Sequence, residues 1–125
     1  MFSHVVVGAD DVEASRRFYD ATLGCLGVRP GRPDGEGRIF YKSPAGLFGI
    51  SKPIDGGPAT CANGSTIGFA ASSPEVADAW YAAGIASGGT PCEDPPGVRN
   101  RLFGDLYLAY LRDPYGNKLC ALHWL

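Results

Sequence analysis

The sequence predicts an α+β fold: two tandem βαβββ modules whose strands form a curved mixed sheet enclosing a groove, with the helices outside. Three observations predict it. The first is an internal repeat. At an offset of about 62 residues, His4-Val5-Val6-Val7 lies over Thr66-Ile67-Gly68-Phe69, Glu13 over Glu75, and Phe18-Tyr19 over Trp80-Tyr81. With a slip of about eight more, Ser43-Pro44-Ala45-Gly46 lies over Asp113-Pro114-Tyr115-Gly116. The second is that the apolar period runs strand, helix, strands, and then repeats that order. The third is punctuation: 18 glycines and 10 prolines gather in Arg29–Gly37, Pro53–Gly64, Gly88–Gly97 and Asp113–Asn117, as turns between short elements do. Two copies of one unit imply a pseudo-twofold protein with its binding site between the copies. The equivalent positions His4, Thr66, Ile50 and Cys120 become the ones to examine.

Each element has a local reason. Phe2 to Gly8 carries Val5-Val6-Val7, a β-branched run expected as a mostly buried strand. Asp10 is expected to cap the next helix, with Glu13 supporting its first turn. Val12, Phe18, Tyr19, Thr22 and Leu23 recur at helical spacing, and Gly24 or Gly27 ends the helix. Strands are expected near Gly27–Arg32, Arg38–Lys42 and Leu47–Lys52, with Pro44-Ala45-Gly46 as a hairpin turn. In the second half, Ser65–Ala71 reads as a strand. Ser73 then caps a helix that has Pro74 at its first position, and Gly88-Gly89 stops it. Strands near Thr90–Asp94, Asp105–Arg112 and Lys118–His123 complete the module, the last two joined by Asp113-Pro114-Tyr115-Gly116-Asn117. Phe18 and Trp80 fall at equivalent helical positions and are expected in the core.

At 125 residues the chain is expected to be one domain, with module 1 over about 1–55 and module 2 over about 63–125. The 45% apolar and 19% charged content describes a folded globule and excludes a disordered chain. A net charge of -2 supplies no field for nucleic acid or anionic membrane. No apolar run reaches the roughly 20 residues of a transmembrane helix. The opening MFSHVVVGADD lacks the basic start and apolar run of a secretory signal, so a cytoplasmic location is expected. The four cysteines, at 25, 61, 92 and 120, form no CxxC pair and read as free thiols. Asp55-Gly56-Gly57-Pro58 is a module connector, not a phosphate loop, because GxxxxGK[ST] is absent.

The segments SHVVVGADDVEASRRFYDATLGCLG and LRDPYGNKLCAL resemble the opening strand–helix and the closing D-P-x-G-N turn of the vicinal oxygen chelate superfamily, also called the glyoxalase, bleomycin-resistance and dioxygenase superfamily. DGGPATCANGSTIGFAASSPEVADAWYAAGIASGG looks like a small bacterial glyoxalase-like branch. The resemblance covers essentially the whole chain. It implies the paired βαβββ architecture, a homodimer, and a small-molecule ligand between the modules. In metal-using members it implies His, Gln or Glu ligands from the first and fourth strands, holding a divalent ion such as Zn, Ni, Fe or Mn. Carried over, those positions are His4, Ile50, Thr66 and Cys120. Only His4 is a standard ligand; Ile50 has no donor, Thr66 is a weak neutral one, and His4 with Cys120 is half a tetrahedral site.

Two functional readings follow. One is a groove protein that binds a small organic molecule without the usual metal centre, as a sequestering protein or a metal-independent enzyme. The other is a metal-dependent lyase, isomerase or dioxygenase with a rearranged ligand set. Candidate substrate contacts are His4, Thr66, Cys120, Tyr107, Arg99 and Arg101. Tyr107 and Tyr110 lie an odd distance apart on one strand, so one of them faces the groove, and Tyr107 is favoured. Arg99 and Arg101 stand in the expected loop before that strand, where they could clamp a carboxylate or phosphate; their alternative is a solvated loop. His4 is otherwise a hydrogen-bonded structural histidine, and Cys120 a small buried hydrophobe. His123, opposite Cys120, is expected at the surface or an interface.

Overall fold

The computed structural model describes all residues, 1–125. Strand β1 spans His4–Gly8, helix α1 Val12–Cys25, and strands β2, β3 and β4 span Arg32–Pro33, Ile39–Ser43 and Gly46–Ser51. Strand β5 spans Ile67–Ala70 and helix α2 Pro74–Ala86. Strands β6, β7, β8 and β9 span Thr90–Pro91, Gly97–Arg101, Gly104–Arg112 and Lys118–Trp124. The first sheet is ordered β1-β4-β3-β2. The second is ordered β5-β9-β8-β6, with β7 also on β8. In each sheet the first strand lies parallel to the last and the remaining neighbours are antiparallel. The fold is therefore α+β, with two open mixed sheets and two helices.

Helix ends follow side-chain chemistry. The α1 cap is Asp11, whose carboxylate accepts from the Ala14 amide, and not Asp10 as expected. Asp10 instead accepts from the Ala59 amide and ties down the connector. Ser73 caps α2 by accepting from the Val76 amide, with Pro74 at the first helical position. Gly88, at φ +98°, turns the chain out of α2, a conformation a side chain would resist.

The outer strands depart from expectation. The strand expected over Gly27–Arg32 is only Arg32–Pro33, because Gly27 turns through φ +83° and Pro30 has no amide to donate. Thr90–Asp94 shrinks to Thr90–Pro91, since Glu93 sits at φ +57°. The loop expected around Arg99 and Arg101 is instead β7, paired antiparallel with β8. Thr66 precedes β5 and is exposed.

One core joins both halves. Phe18, Tyr19 and Trp80 have no exposed surface, and each such burial contributes roughly 1.5–3 kcal/mol. The Tyr19 ring lies 4.7 Å from Phe48, and Phe48 meets Phe69 edge-on at 5.3 Å, carrying the aromatic cluster from the first sheet to the second. The helices cross at Gly84, where an added Cβ would lie 2.2 Å from Leu111 Cδ1.

Candidate functional site

Strand alternation decides which side chains leave the core. On β1, Val5 and Val7 turn toward the helices, while His4 and Val6 face the opposite, open side. Val6 pairs with Gly49, and Gly49 with Phe40. In the second sheet Gly68 pairs with Cys120, and Cys120 with Tyr110. Paired residues share a face, so Val6, Gly49 and Phe40 correspond to Gly68, Cys120 and Tyr110 across the repeat.

This register corrects two expectations. Ile50 is not the counterpart of Cys120. It pairs with Val7, is fully buried, and belongs to the core. The counterpart is Gly49, one residue earlier. The first hairpin turns in two residues between Ser43 and Gly46, whereas Asp113 to Asn117 makes the second turn longer, and a one-residue error in counting reverses every side chain. Tyr107 likewise faces α2, donating its phenol to Asp78 at 2.7 Å. Tyr110 occupies the groove face instead.

The groove floor of the second half is apolar: Leu106, Leu108 and Cys120 are buried, with Tyr110 and Leu122 against them. Cys120 Sγ fills the space over Gly68, where a Cβ would sit 3.2 Å away, and the Phe40 ring covers Gly49. The two glycines thus admit neighbouring side chains. Burial, and then the Glu93 carboxylate, pushes the Cys120 thiol up to about 11. Lys118 lies over the Tyr110 ring at 5.2 Å and ion-pairs with Glu93.

His4 is exposed, with Nδ1 2.8 Å from Ser3 Oγ. It lines a concavity of about 420 Å³ where the two sheets meet, beside Gly68 and Ala70. Thr66, Cys120, Tyr107, Arg99 and Arg101 do not line it. Arg99 donates to the carbonyls of Pro95 and Val98, and Arg101 to that of Asn100, so neither reaches toward His4. His123 is half-buried, its Nδ1 2.9 Å from the Ala71 carbonyl on the helix-facing side. A larger concavity of about 820 Å³ lies elsewhere, between the start of α1 and the β2–β3 loop, among mostly polar and charged residues.

The four equivalent positions do not suit a divalent ion. They present one imidazole, an exposed threonine hydroxyl, a glycine without a donor, and a buried thiol, which is fewer donors than a tetrahedral or octahedral site needs. No three His, Cys, Asp or Glu side chains converge to hold one.

Two half-sheets in pseudo-symmetric register, helices on one side and a partly apolar concavity at their junction, define a two-module protein with room for a small ligand. Comparison with solved structures assigns the family. A glyoxalase/bleomycin resistance protein from Albidiferax ferrireducens is 65% identical, with 98% of each chain covered and a TM-score of 0.96. The chain belongs to the glyoxalase/bleomycin resistance protein family. A glyoxalase/bleomycin resistance protein/dioxygenase family enzyme from Burkholderia phytofirmans shares the fold at 18% identity, 98% coverage of both chains and TM-score 0.76. A lactoylglutathione lyase from Agrobacterium tumefaciens does so at 20% identity, covering 98% of this chain and 92% of its own, TM-score 0.66. Neither a protein-family model nor a curated protein matches the chain. No helix is long and apolar enough to cross a membrane.

Proposed function

We propose that this protein binds a small organic molecule between its two modules without the divalent metal centre that metal-using relatives of its fold employ. One observation carries the reading. The positions corresponding to first-strand and last-strand ligands are His4, Thr66, Gly49 and Cys120, and only one of them offers a ready nitrogen or oxygen donor of ligand type. The apolar groove floor supports the same reading, because a hydrocarbon-lined surface favours organic ligands over hydrated ions. The cavity beside His4 supplies a place for one.

Two copies associate in this reading. Exposed Val6, Leu47, Leu102, Phe103 and Trp124 supply apolar surface for a second copy to cover. Four free cysteines suit a reducing, cytoplasmic setting. Light scattering on the eluting protein tests the assembly.

The decisive experiment is elemental analysis of untagged protein purified without chelators. Sub-stoichiometric zinc, nickel, iron and manganese is the expected result. One tightly held ion per subunit, lost together with thermal stabilisation on His4→Ala, would overturn the proposal in favour of a metal-dependent lyase, isomerase or dioxygenase with a rearranged ligand set.

A further inference from the structure

The two helices do not sit equally close to their own sheets. Helix α2 packs on β8 and β9, whereas α1 packs mainly on α2 and meets its own sheet through β4. A concavity of about 420 Å³ lies at the C-terminal end of α1. Leu23 and Leu26 at the end of α1, and Val28 just beyond it, form one wall; Phe48 and Phe69 form the other. These are helix-facing side chains. The concavity therefore reaches helix-facing side chains as well as His4, and its lining includes residues of β1 and β5, two edge strands that share no ladder. His4, Gly68 and Ala70 stand at its mouth.

Its lining contains no Asp, Glu, Lys or Arg. The polar groups present are largely committed. Tyr41 gives its phenol to Asp20, Ser43 Oγ accepts from the Ala45 amide, and Ser3 Oγ holds His4 Nδ1. His4 Nε2 is left as the ring atom without a partner. A charged ligand would lose its hydration here and meet no opposite charge, which costs it affinity. An apolar ligand would gain by leaving water.

Resting on the reading above, we infer that this seam cavity is a binding site for a neutral, mainly apolar molecule, on the order of three rings in size, with one hydrogen-bonding group at His4. N-phenyl-1-naphthylamine, an uncharged dye that fluoresces in apolar surroundings, is the probe, titrated into the full-length chain. Saturable binding is expected. Val28→Phe at the wall and Ala70→Leu at the mouth should each weaken it at least tenfold, and the anion 1-naphthoate should bind at least tenfold more weakly. Circular dichroism identifies which variants are folded, and either folded variant suffices. Affinity within twofold of the parent in a folded variant, equal binding of 1-naphthoate, or no saturable binding would each overturn the inference. Amide-resonance shifts separate this site from the open groove. Shifts at Leu26, Val28 and Phe69 support the seam. Shifts at Tyr110 and Cys120 instead place the dye on the groove floor, overturning this inference while leaving the broader proposal to the metal analysis.

Discussion

Replacing Tyr19 by Phe would remove one hydroxyl from the joint between the halves. That phenol donates to Asp113 Oδ2 at 2.6 Å in a buried setting, and burial, followed by the Asp113 charge, raises its ionisation well above the usual tyrosine range. Asp113 also accepts from the Asn117 side chain and from the amides of Tyr115 and Asn117. Tyr19→Phe should cost about 1.5–3 kcal/mol in urea unfolding, as hydrogen bonds to charged groups do. Asp113→Ala should cost more, because it strands several buried donors at once. Cys120 gives a pH prediction. Its folded value of about 11 exceeds the ordinary 9.0, so its contribution to stability is fully present below pH 9 and is lost as the pH rises through 11, the unfolded chain ionising first. Tyr19 and Tyr41 act in the same direction above pH 10. The urea midpoint should therefore fall between about pH 8 and about pH 10.5, and fall less in Cys120→Val. At pH 7 a thiol reagent should reach the half-buried Cys25, Cys61 and Cys92 before Cys120.

Two glycines of α1 and α2 separate helix propensity from packing. Gly84 lies at the crossing, where a Cβ would press into Leu111 and against Phe18 and Thr22. Gly84→Ala should lose about 1–3 kcal/mol despite the better helix former, as overpacked sites do. Nothing lies within 4 Å of a Cβ at Gly24, so Gly24→Ala should gain about 0.5–1 kcal/mol. Thermal melts of both variants check the opposite signs. The elements differ in how readable they are. Helix α2 was legible down to its Ser73 cap, because capping is written in consecutive residues. Strand β7 was not. Its Arg99, Asn100 and Arg101 sit on a mostly solvated edge strand, where no buried face imposes an apolar alternation.

The halves should unfold together. Phe48 and Phe69 meet edge-on across the sheets, α1 packs on α2, the Asn117 amide group donates to the Gly8 carbonyl, and the Tyr115 hydroxyl accepts from the Asp11 amide. Circular dichroism and the fluorescence of buried Trp80, in a Trp124→Phe background, should report one coincident urea transition. Separated transitions would mean that the shared core couples the halves less than these contacts imply.

The sequence by itself determined the α+β class, the duplicated strand-helix-strands pattern, the two helices with their buried Phe18 and Trp80, and the His4, Gly68 and Ala70 side of the opening strands. Those features are periodic and local, and each residue reports on neighbours a few positions away. Only the tertiary structure decided that Gly49, not Ile50, answers Cys120 and that Tyr110, not Tyr107, faces the groove. Both depend on register carried across a turn, where a miscount of one residue reverses the face. The seam cavity also required it, because its lining joins β1, the end of α1, β3, β4 and β5, stretches far apart in the chain that only tertiary packing brings together.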